Sequence, residues 1–218
     1  MHAAVRVFAS KGFHAARVKD IADEAGVAHG LLYHYFRSKD EVLDEIFRRT
    51  WSNLAEELHR IELSDAVLRE QLERFASVYL GSWLETPDLI RVLVREVARG
   101  PDLGARAGEI DSVLAPLTRM IERGARRGEV RTAVDARLAA VAFYGALEEI
   151  LTGYVLDQLP SRADDVDRAI ATVTDVVAAG LAPCRRSSIS PEPRSDRNAT
   201  ARAGAIGRCA SATSSGPR

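Results

Sequence analysis

Cysteine is scarce: the 218 residues hold two, Cys184 and Cys209. Neither lies near a cluster of His or carboxylates, so they give no disulfide framework and no zinc spacing. Tryptophan and methionine number two each, and aromatic residues make up 6%. Long apolar runs are also lacking. The strongest, Leu138 to Leu147, is followed at once by Glu148 and Glu149. That falls short of the roughly 18–20 apolar residues that cross a bilayer. The opening MHAAVRVFASKG lacks the charged, apolar, small-residue order of a signal peptide. No membrane partner is expected, and a cytoplasmic location is. Catalytic signatures are missing too: no G-x-S-x-G, no Walker loop, no G-x-G-x-x-G after a strand, no H-E-x-x-H. Glu148 and Glu149 are neighbours on a helix and point apart, so they form no carboxylate dyad. We therefore expect no enzyme and no cofactor.

What is present is an ordinary globular composition, 46% hydrophobic and 28% charged, which excludes collagen-like and wholly disordered chains. The net charge of −1 hides an uneven distribution. Residues 1–39 carry six basic against three acidic residues, 184–218 carry seven against two, and 40–183 carry 17 against 26. Basic ends on an acidic body suit a polyanion that meets the ends and not the middle.

Apolar residues recur three and four apart through most of residues 1–182, and alternation of period two is scarce. The class is all-α, with about nine helices. Gly12 reads as the residue just past a first helix. Ser38-Lys39-Asp40-Glu41 reads as a capping box that opens a long helix with Val42, Leu43, Ile46, Phe47, Leu54 and Leu58 on one side. Helices are expected at about 65–85 and 88–99, the second ended by Gly100-Pro101. Two more follow, at about 136–157, capped by Asp135, and about 164–181. Residues 183–218, rich in Ser, Ala, Arg, Gly and Pro, bury too little apolar surface to offset their ordering entropy, so a disordered basic tail is expected.

The informative stretch is Val18 to Lys39, VKDIADEAGVAHGLLYHYFRSK. Val18, Ile21, Ala22 and Ala25 form one face of a short helix. Gly26 supplies a tight turn, and Val27 is expected to plug the angle between two helices. Leu32 and Phe36 give the buried face of the second. Two short helices crossing at a glycine turn make a helix-turn-helix. The second helix would present His29, Gly30, Leu31, Tyr33, His34 and Tyr35 to a DNA major groove. Lys39 has a charge to offer a phosphate. His29 and His34 are five apart and do not share a helical face as a metal pair would, so no metal is expected. Tyr33 and Tyr35 are also compatible with packing, and His34 and Lys39 with a solvated surface.

These residues resemble the DNA-binding domain of the TetR/AcrR family of bacterial transcriptional repressors. The matching positions are Phe8-Ala9, Gly12-Phe13, Ile21-Ala22, Ala25-Gly26-Val27, Gly30, Leu32-Tyr33-His34-Tyr35-Phe36 and Lys39. The resemblance implies a three-helix DNA-binding domain at 1–49 and a ligand-binding and dimerisation body at 50–182. It implies DNA contacts at Arg17, Lys19, His29, Gly30, Leu31, Tyr33, His34, Tyr35 and Lys39, mostly to phosphates. Leu31 stands where many members have Thr. Ala28 stands where a Ser usually caps the recognition helix, at a cost of about 1 kcal/mol.

The resemblance further implies a homodimer formed by the last two helices. Ala139, Ala140, Ala142, Gly145, Ala146 and Gly153 permit close approach, and Val166, Ile170, Val173, Val177 and Leu181 give an apolar stripe. It implies an effector pocket whose candidate walls include Trp51, Phe75, Tyr79, Trp83, Arg95, Met120, Phe143, Tyr144, Leu147 and Glu148. The stretch FYGALEEILTGYVL is similar to the acyl-CoA-responsive fatty-acid regulators of the family. The expected partners are a double-stranded DNA operator, a second copy of the chain and a small hydrophobic effector, for which the resemblance implies an acyl-CoA. The competing reading is an all-α ligand-binding or protein-interaction module that binds no DNA, and only residues 18–39 argue against it.

Overall fold

The computed structural model describes residues 1–97 and 107–183. Over these the chain runs through α1 (His2–Lys11), α2 (Val18–Ala25), α3 (His29–Tyr35), α4 (Lys39–Glu62), α5 (Leu68–Glu85), α6 (Pro87–Val97), α7 (Ala107–Arg126), α8 (Ala136–Val155) and α9 (Ala163–Leu181). Among the described residues there is no strand. The expected 183–218 tail, apart from Pro183, and the Gly100-Pro101 break lie outside them.

Local chemistry sets the helix ends. Gly12 closes α1 at φ 76°, and its N–H donates to the Phe8 carbonyl. Gly26 closes α2 at φ 68°, ψ 31°, a left-handed geometry that strains any residue with a side chain. Asp135 caps α8, accepting from the Leu138 N–H at 2.9 Å. The box at the start of α4 is shifted by one residue. Ser38 accepts from the Glu41 N–H at 3.1 Å, but the Glu41 carboxylate reaches Arg37 N–H, at 2.7 Å, instead of that of Ser38.

Two hydrophobic clusters share the chain. The first joins Ala4, Val7, Phe8, Ala16, Ile21, Val42, Leu43, Ile46 and Phe47 with Val92 of α6. The second gathers the C-terminal part of α4 with α5 to α9 around Phe75, Leu117, Met120, Phe143 and Leu147. The expected boundary at 49/50 falls inside α4, which runs through both clusters. Trp51 and Leu93 pack against both, and α6 lies across α1.

Three expectations about packing are corrected. Val27 does not plug the helix angle; it is 36% exposed, and Leu32 and Phe36 pack on the cluster there instead. The α9 stripe faces inward: Val166, Val173 and Leu181 are buried in the chain's own core, with Ile170 and Val177 packed against it. Gly153 is small for an internal reason, since a Cβ there would sit 2.7 Å from Leu159 Cδ1. Of the expected small residues Ala142 and Gly145 do face outward, and the large outward apolar residues are Leu138 and Val141 on α8 and Val176 on α9.

One polar cluster ties α4 to α7. The Glu62 carboxylate, almost fully buried, receives a two-pronged contact from Arg119 at 2.7 and 2.8 Å. Arg123 donates to the Glu62 carbonyl at 2.5 Å and approaches its carboxylate at 3.6 Å. Buried Gln71 of α5 donates to the Ile61 carbonyl at 3.0 Å and the Ser64 carbonyl at 3.2 Å.

Candidate nucleic-acid interface and effector core

The α2–α3 pair is held from below and left open above. Ile21 and Ala22 anchor α2 in the first cluster, and Leu32 and Phe36 rest α3 on it. No residue of α3 is fully buried. Its outer face carries Leu31, Tyr33 at 53% exposure and Tyr35 at 69%, with His29, Gly30 and His34 beside them. His34 meets Tyr35 edge-on at 5.3 Å between ring centroids. Exposed aromatic and aliphatic side chains clustered on seven residues are what a contact surface looks like before its partner arrives.

The charges around this face are sorted. Each acid of α2 has a basic partner: Asp20 with Lys11 at 2.8 Å, Asp23 with His29 at 2.7 Å, Glu24 with Arg6 at 2.6 Å. Asp20 also accepts from the Arg17 backbone N–H at 2.8 Å. The Lys11 hydrogen bond, then the Arg17 N–H, hold its carboxyl below the usual carboxylate range. Arg17 and Lys19 are exposed, and neither forms a close ion pair among the described residues, although the Arg17 charge also bears on Asp20. Arg17 and Lys19 therefore leave positive charge at the N-terminal end of α2.

Lys39 is turned inward. Its ammonium donates to the Phe13 and His14 carbonyls, at 2.8 Å each, and lies 4.7 Å from the Phe13 ring centroid. It therefore braces the α1–α2 turn against the start of α4. An ammonium has three N–H donors, so one remains for a phosphate. Hydrogen bonds to charged groups contribute about 1.5–3 kcal/mol. Lys39→Met, which keeps the apolar stem, is expected to cost about 2 kcal/mol in urea denaturation. An unchanged midpoint would remove the brace.

In the body, the candidate wall residues form a packed core. Phe75 meets Tyr79 at 5.7 Å and Phe143 at 6.1 Å, and Tyr144 meets Tyr79 at 5.6 Å and Trp51 at 6.5 Å. Met120 and Leu147 are fully buried with them. Glu148 finds its partners here: Tyr79 and Tyr144 both donate to one of its carboxylate oxygens, Tyr144 at 2.5 Å. Burial first, then the Glu148 charge, push both phenols above their usual range. Trp83 stands apart, against Tyr154 at 6.0 Å and under Arg91 at 4.9 Å. Arg95 is exposed near the end of α6 and does not join this group.

Sequence reasoning missed Asp23, Glu62, Arg119 and Arg123. Glu62 had a visible signal, since it continues the buried row of Leu58 and Ile61. Arg119 and Arg123 were less legible, because their partner lies 57 and 61 residues away.

Residues 1–46 match the family of bacterial regulatory proteins called the tetR family, and residues 66–182 match the C-terminal domain of AefR-like transcriptional repressors. The chain belongs to the TetR family. It is 29% identical over 157 residues, 71% of this chain, to a fatty acid metabolism regulator protein of Bacillus subtilis, of which it covers 81%. It is 29% identical over 139 residues, 62% of this chain, to the repressor KstR2 of Rhodococcus jostii, of which it covers 68%. Among solved structures it is similar to the transcriptional regulator FadR from Bacillus subtilis in complex with stearoyl-CoA. The TM-score there is 0.73 at 26% identity, over 83% of this chain and 96% of that one. This TetR-family chain is thus a regulator of transcription with a helix-turn-helix, not an enzyme.

Proposed function

We propose that the protein is a cytoplasmic homodimeric repressor that grips a pseudo-palindromic operator with two copies of α3 and leaves it on binding an acyl-CoA. The observation that carries this reading is the α3 face, exposed and rich in aromatic side chains, on a scaffold whose α2 acids are all paired. Arg17, Lys19, Tyr33, Tyr35 and Lys39 serve the phosphates; His29, Gly30, Leu31 and His34 lie against base edges. Phosphate contacts set the position and base contacts the sequence.

The effector reading draws on the apolar aromatic core from Trp51 to Leu147, which is packed here and would open to take an acyl chain. Glu148 with its two phenols supplies the polar group of that core. Likeness to a regulator solved with stearoyl-CoA favours a long-chain thioester. An effector that binds better to the conformation with mis-spaced α3 helices shifts the population toward it and weakens operator binding by the same factor. Footprinting is expected to give two protected half-sites about one helical turn, roughly 34–36 Å, apart. Adding stearoyl-CoA is expected to lower operator affinity by about 5–150-fold, the usual range of such couplings. A single half-site at saturation would overturn the dimer, and unchanged affinity with the thioester bound would overturn the release.

A further inference from the structure

We infer that Asp23 is a positioning residue for base readout: it fixes the proton of His29 on one ring nitrogen, so that the other accepts a hydrogen bond from adenine or cytosine. This rests on α3 lying in the major groove, as proposed above. Asp23 Oδ1 lies 2.7 Å from His29 Nε2, across the turn from α2 to α3. Both side chains are substantially exposed, so this pair is not a core contact.

The position of the acid argues that it serves the histidine. Asp23 sits in the last turn of α2, where no basic residue balances it along the helix. A carboxylate there opposes the helix dipole. It also stands on the surface that meets a polyanion, where each extra negative charge weakens binding. Glu24 beside it is paired away to Arg6; Asp23 is paired to the first residue of the recognition helix.

The consequence for readout follows from hydrogen-bond inventory. An ionised carboxylate only accepts, so the proton must be on Nε2. In neutral imidazole this leaves Nδ1 as an acceptor, and no described residue bonds to it. In the major groove, adenine offers an N6 amine and cytosine an N4 amine, whereas guanine and thymine offer acceptors there. Without Asp23 the ring is free to rotate and to change tautomer, and then it presents donor or acceptor with little distinction.

The test uses the full-length chain and duplexes it selects from a random pool, with every base pair of the half-site varied in turn. The pH is held at about 8.5, above the ordinary imidazole range. At one position per half-site wild type is expected to prefer the base bearing an exocyclic amine by about three- to tenfold over its amine-free analogue, purine for adenine or 2-pyrimidinone for cytosine, the worth of one hydrogen bond. His29→Ala abolishes that preference. Asp23→Ala abolishes it at the same position, while affinity for scrambled duplex holds or rises, because a negative charge has left the DNA-facing surface. Asp23→Asn weakens it as well, because an amide can donate to Nε2 as readily as accept from it and no longer fixes the tautomer. A merely structural Asp23 would lower all affinities together and flatten every position alike. The inference is overturned by that pattern, by a His29-dependent position at which deleting the exocyclic amine costs nothing, or by an Asp23→Ala preference equal to wild type. If His29→Ala flattens no position, the inference fails while operator binding stands. Failure of the regulator reading itself looks different, with no duplex preferred over scrambled DNA.

Discussion

Leu138→Glu is expected to leave the proposed dimer as monomers and to remove most of its operator affinity. Leu138, Val141, Ala142 and Gly145 are spaced three and four apart and all are exposed on α8. Leu138 is 67% exposed, and Val176 of α9, at 66%, adds to the outward apolar surface. α8 has a mean hydropathy of 1.3, long and apolar enough by length and composition to cross a membrane, yet only 39% of that stretch is buried within the chain. Apolar surface left over in this way calls for cover by another protein surface. A two-fold axis would use the same face on both copies, so one substitution acts twice. Burying a leucine contributes about 1.5–3 kcal/mol. Its loss on both sides comes to about 4 kcal/mol, close to 1,000-fold in the dimer Kd. Sedimentation at several concentrations reads this directly. The helical content of the DNA-binding helices should not change, because Leu138 is outside every core, while the melting temperature falls by the loss of the partner. A Leu138→Glu protein that stays dimeric with wild-type affinity would place the dimer face elsewhere.

Much of the architecture was legible because it is local. Glycines 12 and 26, the Asp135 cap and the three-and-four spacing of apolar residues mark helices through chain geometry alone, and the ends agree to a few residues. Facing was harder. The α9 stripe of Val166, Val173 and Leu181 has the spacing of an interface and equally that of a core, and periodicity cannot tell which neighbour it meets. The structure gives it to the chain itself, and leaves the shorter row around Leu138 and Val141 outside. The same ambiguity governs Lys39. A lysine at the start of a helix reads as a phosphate ligand, but its inward contacts with Phe13 and His14 depend on a partner 25 and 26 residues back. The exposed face of α3 was readable as a set of residue types, whereas the pairing of Asp23 with His29 depends on how the turn brings two helices together.

The clasp between α4 and α7 should dominate the acid side of the stability curve. The two-pronged hydrogen bond from Arg119 is the largest cause that holds the Glu62 carboxyl below its usual range; the Arg119 charge, His59 and Arg123 add to it, against burial. A carboxyl depressed in the folded state stabilises fully above its unfolded value, about 4.3 for a glutamate. That contribution is lost as pH falls through the lower folded-state value. Arg119→Ala leaves a nearly buried carboxylate with weaker partners, and removing one side of a buried pair costs about 3–5 kcal/mol. Because the Arg119 side chain is itself half exposed, the lower end, about 3 kcal/mol, is expected at neutral pH. Glu62→Gln should cost less, since its amide still bonds one arm of the guanidinium without stranding a charge. Below the ordinary carboxylate range the picture changes. Wild type loses its advantage as Glu62 protonates, so the gap between wild type and Arg119→Ala narrows. Urea denaturation of both proteins from pH 7 down to about pH 3 brackets that window. A gap that stays constant across it would mean that Arg119 stabilises through packing of its stem and not through the Glu62 charge.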